Sequence, residues 1–238
     1  VFKRIDITDS NNEIKALYNN VTNTQLGTTI SNEMEVIVQT IEHFMSAIWA
    51  CNIDNIIIEI DNKEVPILDG SAKIFIEEIK KAGIQEQTSK RKILKINKEI
   101  KIEDGDKSII FLPYNNYKIS MEVDFPYGSI GNQKIEFEGN SESFYNEISQ
   151  ARTFCHQKEI DFMRANGLAL GGSLDNAMVF DDIKILNPNG FRCELEIVKH
   201  KLLDCVGDMF TSGYYMQCYL KSIKGGHKLN NDILKKVF

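Results

Sequence analysis

Apolar positions in residues 34–51 recur at helical spacing, with Met34, Ile37, Ile41, Phe44, Met45 and Ile48 on one face and Asn32-Glu33 as an entrance. The spacing predicts a helix. The β-branched run Asn55-Ile-Ile-Ile-Glu-Ile60, bounded by Asp61-Asn62, predicts a strand, and Asp69-Gly70-Ser71 opens a second helix that ends near Gly83.

A polar stretch from Gln85 to Lys92 reads as a linker. Beyond it, alternation at Ile93, Lys95, Asn97 and at Ile119, Met121, Val123 supports strands near 92–102, 107–112 and 117–125. Helices are expected at 141–150, 157–166 and 194–212, and a strand pair at 177–186 turning at Asp181-Asp182. Tyr215 to Ile223 reads as a strand, Gly225-Gly226 as a turn and 229–237 as a closing helix. Helix, strand, turn and helix thus occur in both halves, which predicts an α+β protein of two related domains, 1–88 and 89–238.

Composition narrows the class. With 238 residues, 42% hydrophobic and 26% charged, the chain can bury an ordinary core. Its formal charge of −6 argues against nucleic-acid binding through a general basic surface. The apolar run at 53–60 is interrupted by Asp54, Asn55 and Glu59 and falls far short of the roughly 20 residues of a membrane span. The N-terminus has no apolar signal region and reads as a chain entered partway. Cys51, Cys155, Cys193, Cys205 and Cys218 are odd in number and contain no CxxC pair, so a disulfide framework and a cysteine-zinc ribbon are disfavoured and a reducing cytoplasm is expected.

The densest chemistry lies in Lys199-His-Lys-Leu-Leu-Asp-Cys-Val-Gly-Asp208. There His200, Asp204 and Asp208 stack at i, i+4, i+8 while Leu202, Leu203, Val206, Met209 and Phe210 gather opposite. An imidazole and a carboxylate one turn apart can share a divalent ion, and mixed nitrogen and oxygen ligands suit zinc. A solvated helix face with an ordinary His–Asp pair is the plainer alternative. Glu42-His43 offers a second imidazole beside a carboxylate, although it is not HExxH and such dipeptides are common. His227 follows a Gly-Gly turn and by itself reads as a surface histidine; His156 reads as structural or exposed. Leu170-Gly171-Gly172-Ser173 lacks the Lys-Ser/Thr of a P-loop and reads as a tight turn or a small anion nest.

Taken in order, Thr40-Ile-Glu-His43, Ile53-Asp-Asn55, Pro66-Ile-Leu-Asp-Gly-Ser-Ala72, Glu103-Asp-Gly-Asp-Lys107, Ala151-Arg-Thr-Phe154, Gly167-Leu-Ala-Leu-Gly-Gly-Ser173, His200-Lys-Leu-Leu-Asp204 with Gly207-Asp208, and Gly226-His-Lys-Leu-Asn-Asn231 span essentially the whole chain. The pattern resembles the UDP-3-O-acyl-N-acetylglucosamine deacetylase family of Gram-negative lipid A biosynthesis. The family's N-terminal strand with its Gly-Leu-His segment has no counterpart, so the chain is expected to begin late in the pattern. His156 and Gln157 stand where the family has apolar residues, which bears on acyl-chain preference.

The resemblance implies two similar domains, each a mixed or antiparallel sheet with two helices, packed as a layered sandwich around the site. It implies one zinc per chain held by His43, His200 and Asp204, with Glu42 as general base. His227 would be a cation held by Asp208, and Thr153 would assist the oxyanion. Lys107, Lys201 and Lys224 would face the sugar and diphosphate, Phe125 and Phe154 the nucleotide and sugar, and an insert at about 155–187, with Leu168, Leu170, Met178 and Val179, the acyl chain. The expected function is hydrolysis of the substrate's acetamide by a cytoplasmic monomer. The alternatives are a catalytically silent metal or nucleotide-sugar binder, an inactive N-terminally incomplete fragment, and a dehydratase on the same scaffold. A binder needs neither Glu42 nor His227, and nothing follows Phe238 to form an added hot-dog domain.

Overall fold

The computed structural model describes residues 1–8, 11–165, 169 and 171–238. Very short strands open the chain. β1 (Phe2–Arg4) pairs antiparallel with β2 (Glu13–Ile14) and parallel with β6 (Ile58–Ile60). β3 (Val21–Asn23), β4 (Thr29–Ser31) and β5 (Ile37–Val38) form a second, antiparallel sheet. Strands this short are not stable alone; Phe2, Ile14, Ile30 and Val38 are fully buried against the helices α1 (Glu42–Ala50) and α2 (Lys73–Ala82) and the rest of the core.

The larger sheet has the order β11-β10-β14-β9-β8, built from β8 (Ile100–Asp104), β9 (Lys107–Leu112), β10 (Tyr117–Asp124), β11 (Asn132–Glu138) and β14 (Tyr215–Ile223). β7 (Ile93–Lys95) runs parallel to the start of β14. β14 is central because its alternation turns Met216, Cys218, Leu220 and Ser222 inward; it pairs parallel with β10 and antiparallel with β9. α3 (Ser141–Glu147) begins with an Asn140 capping box, Asn140 Oδ1 accepting the N–H groups of Glu142 and Ser143. α5 (Glu196–Phe210) and α6 (His227–Val237) complete this part, and α5 packs directly on α1.

Between these elements runs β12 (Phe154–His156), α4 (Gln157–Ala165) and β13 (Met178–Phe180), with β12 and β13 paired in parallel. Ile130, Met178, Phe180 and Ile197 form a small separate core there, flanked by Phe125, Tyr127, Phe154 and Ile185. Phe180 bridges to Ile185 across the turn at Asp181-Asp182. No helix among the described residues is long and apolar enough to cross a membrane.

The architecture is mixed α and β, as expected, with three local corrections. The helix expected over 34–51 starts only at Glu42. Residues 34–41, nearly half of it, are turn and strand, because Asn32 Oδ1 accepts the N–H groups of Met34 and Val36, Ile37 pairs with Ser31, and Thr40 adopts φ 57° before the helix begins. Met34, placed on the helix's apolar face, is 63% exposed. The strand over 92–102 divides into β7 and β8. β11 lies in a stretch, 126–140, for which the sequence carries no strand expectation. The second helix ends as anticipated, at Gly83 with φ 85°.

Candidate active site

The site lies where α1 meets α5. The two helices approach closely because residue 207 is glycine: a Cβ there would lie 2.0 Å from the backbone oxygen of Glu42. Any side chain at 207 would push α1, and with it Glu42 and His43, away from α5.

His43 on α1 and His200 and Asp204 on α5 are all buried, and their ligand atoms lie within 4.8 Å of one another. The i, i+4 spacing brings His200 Nε2 to 3.2 Å from Asp204 Oδ1, and His43 Nε2 lies 3.5 Å from the same oxygen. His200 Nδ1 is 3.0 Å from the carbonyl of Ala151, so it carries the proton and Nε2 presents a lone pair to the cluster. Burial drives His200 down to about 4, so its ring is neutral. Burial also lowers His43, but Asp204 and Glu42 outweigh it and raise that imidazole. Asp204 sits well below the usual carboxylate range because His200, Lys201, His43 and His227 overcome the cost of burial.

Asp204 Oδ1 is buried without a hydrogen-bond donor. An oxygen in that state beside two imidazole nitrogens calls for a cation. Two nitrogens and one carboxylate oxygen, with His200 oriented by the Ala151 carbonyl, suit zinc in a catalytic site that leaves a position open.

Glu42 is buried next to His43, and its Oε2 accepts the backbone N–H of Thr28 at 2.9 Å. Burial raises its pKa from the ordinary value, with His227 and His43 pulling the other way. Opposite, His227 opens α6, and its Nδ1 lies 2.8 Å from Asp208 Oδ2, leaving Nε2 4.0 Å from Asp204 Oδ2. Burial disfavours the imidazolium, but Asp208 and Glu42 lift its pKa to about 9.

The Ala151-Arg-Thr-Phe154 segment is locked in place by a buried ion pair. Arg152 Nε donates to Glu196 Oε1 at 2.8 Å, and the Arg152 backbone N–H donates to the same oxygen at 3.0 Å. The pair holds the Ala151 carbonyl against His200. Thr153 is half-buried, fixed through its N–H to the Gly70 carbonyl and its own carbonyl to the Met178 N–H. The Phe154 ring meets His200 edge-to-face at 6.0 Å and Phe125 at 5.6 Å.

The lysines divide. Lys201 turns toward the cluster, Nζ 3.4 Å from Asp204 Oδ2. Lys224 is held between Asp106 and Asp124, each at 2.9 Å, and Lys107 is exposed near Asp106. Met178 and Val179 of the expected acyl passage are buried in protein, while Leu168 and Leu170 lie outside the described residues. His156 is buried and structural: its Nε2 is 3.1 Å from Asp182 Oδ1, and its Nδ1 accepts the N–H of Lys158.

Residues 1–238 match the family of UDP-3-O-acyl N-acetylglycosamine deacetylases, LpxC. The chain belongs to this family. A UDP-3-O-acyl-N-acetylglucosamine deacetylase from Pseudoalteromonas translucida is 44% identical over 239 residues, 100% of this chain and 78% of the relative. Proteins of the same name from Idiomarina loihiensis and Haemophilus influenzae are 41% and 44% identical, matching 99% and 92% of this chain and 77% and 72% of their own lengths. As a member of the deacetylase family the chain is an amidohydrolase of lipid A biosynthesis, and its buried His-His-Asp cluster is in keeping with that class.

Spacing in the sequence did not reveal two site residues. Thr28 has no recognisable relation to Asp208, 180 positions away, yet its Oγ1 lies 2.6 Å from Asp208 Oδ1. Asn230 donates to Asp208 Oδ2 at 2.8 Å; its place one turn after His227 was the available signal.

Proposed function

We propose that the chain hydrolyses the acetamide of UDP-3-O-acyl-N-acetylglucosamine to acetate and the free 2-amino sugar, with His43, His200 and Asp204 holding one zinc. The carrying observation is the buried three-ligand cluster flanked by Glu42 on one side and an Asp208-held His227 on the other. When bound, the metal supplies Lewis-acid polarisation of an unreactive amide and lowers the pKa of a water from about 15.7 toward about 7.

Glu42 is the general base. Its Oε2 is occupied by the Thr28 N–H, so Oε1 receives the proton of the attacking water. His227, cationic on Asp208, uses Nε2 to stabilise the oxyanion or to protonate the departing amine, and Thr153 assists the oxyanion. Asp208 holds the ring and its charge. Lys107, Lys201 and Lys224 face the sugar and diphosphate, Phe125 and Phe154 the nucleotide and sugar, and residues 155–187 the acyl chain. Lys201 turned toward the cluster and Phe154 against His200 support this arrangement.

Residues 1–88 and 89–238 act as two related units enclosing the site. The chain acts as a cytoplasmic monomer; five free cysteines are in keeping with a cytoplasmic location. The test is acetate release from the acylated UDP-sugar by the wild type, Glu42→Ala and His227→Gln, with zinc measured in each. Release that depends on both residues while zinc is retained supports these roles. Undiminished release from either variant overturns the role assigned to that residue.

A further inference from the structure

We infer that Thr28 is a positioning residue that ties the base Glu42 and the Asp208–His227 pair into one hydrogen-bonded unit; the inference rests on the roles proposed above. Thr28 is 2% exposed and precedes β4, an element of the small sheet with no ligand of its own. All three of its polar groups are used at the site. Its N–H donates to Glu42 Oε2 at 2.9 Å, its carbonyl accepts the N–H of Ile41 at the start of α1, and its hydroxyl meets Asp208 Oδ1 at 2.6 Å.

A threonine hydroxyl has one proton, and an ionised carboxylate is an acceptor only, so that proton goes to Asp208. The hydroxyl oxygen keeps a lone pair toward His227 Nδ1, 3.3 Å away. Asp208 is then fully engaged: Oδ1 by Thr28, Oδ2 by His227 and Asn230. The carboxylate cannot rotate, and the imidazole it holds keeps Nε2 toward the reacting side. At Glu42 the arrangement is complementary, because Oε2 is pinned while Oε1 faces Gly27, where a Cβ would lie only 3.0 Å away. One residue therefore sets the orientation of the base and of the acid, and the space between them.

The test separates the hydroxyl from the backbone bond. Thr28→Val keeps the shape and the N–H to Glu42 but removes the donor to Asp208. It should lower kcat by about 10- to 100-fold, the range for a displaced catalytic group, with KM within about twofold. Zinc content should be unchanged, and the downfield Nδ1 proton resonance of His227 should shift or broaden. Thr28→Ser, which restores the hydroxyl, should recover kcat and the resonance. Thr28→Ala, which cannot overpack, is read in the same way as valine. Wild-type kcat and an unmoved resonance in Thr28→Val and Thr28→Ala, while Glu42→Ala and His227→Gln remain impaired, overturn the inference and leave the proposed function standing. Equal losses in Thr28→Ser and Thr28→Val also overturn it, since the hydroxyl would then not matter. Full activity in Glu42→Ala or His227→Gln overturns the proposed roles instead.

Discussion

The contact between α1 and α5 and the insert at about 155–187 are built from opposite materials. In the first, ionisable groups are buried with named partners, and the backbones touch so closely that residue 207 has no room for a side chain. In the second, Met178 and Phe180 join Ile130 and Ile197 in a small core ringed by half-buried aromatics, with Phe162 60% and Ile183 84% exposed. Reaction geometry needs fixed atoms, which hydrogen bonds and charge provide. An apolar substrate chain needs only an adaptable surface, since burial of hydrocarbon is non-directional. Substitutions in the first region should therefore act on kcat, and those in the second on substrate preference.

The largest effect among variants that retain the metal is expected at His227. His227→Gln should lose roughly 100- to 1,000-fold in kcat with zinc retained, the range for removal of one donor to a developing oxyanion. Steady-state kinetics with metal analysis checks this, and a loss confined to KM would place the residue in binding instead.

Gly207→Ala comes next. With a Cβ 2.0 Å from the Glu42 carbonyl oxygen, α1 must shift, at a cost of about 1–3 kcal/mol. Thermal or denaturant unfolding reads the stability change, and kcat should fall in step because Glu42 moves with the helix. An unchanged unfolding midpoint would show that the helices are less tightly coupled than the contact implies.

A smaller effect concerns pH. His227 is raised to about 9 in the fold from an ordinary 6.5, so between those values the folded protein holds a proton that the unfolded chain has lost. Its contribution to stability is complete below about 6.5 and disappears as pH rises through about 9. Asp208→Asn removes the counter-charge and should move this window downward in a stability–pH profile; a profile identical to wild type contradicts the pairing.

The smallest effect belongs to the insert. Ile183→Ala should change stability by less than about 0.5 kcal/mol, as for exposed positions generally, but reduce kcat/KM for long acyl chains. If the insert takes the acyl chain, each buried methylene contributes about 0.8 kcal/mol, so kcat/KM should climb with chain length until the passage ends. A flat series would mean that this region only packs against itself.

Legibility in the sequence followed the same division. α5, α6 and β14 carry their periods over nine or more residues and could be read directly, as could the glycine stop of α2. β1 to β5 could not, because strands of two or three residues have no period and owe their existence to distant partners such as Phe2 with Ile58. The same blindness extended the first helix too far, since Met34 and Ile37 fit its spacing while their backbone is held by Asn32 and Ser31. β11 was missed although Gly131 and Gly139 bracket its alternating Ile135 and Phe137. At the site, the helical spacing of His200, Asp204 and Asp208 is visible, and the resemblance to the deacetylase family joins them to Glu42, His43 and His227. Thr28 was not visible, because its role is set by a fold that brings residue 28 to residue 208.

The central claim is that His43, His200 and Asp204 form the metal centre on which the rest of the site is arranged. Zinc measured per chain in purified wild type and in Asp204→Ala, alongside acetate release, tests it most directly. One zinc in the wild type, with metal and activity lost together in the variant, is the predicted result. Equal zinc content in the two proteins would contradict it.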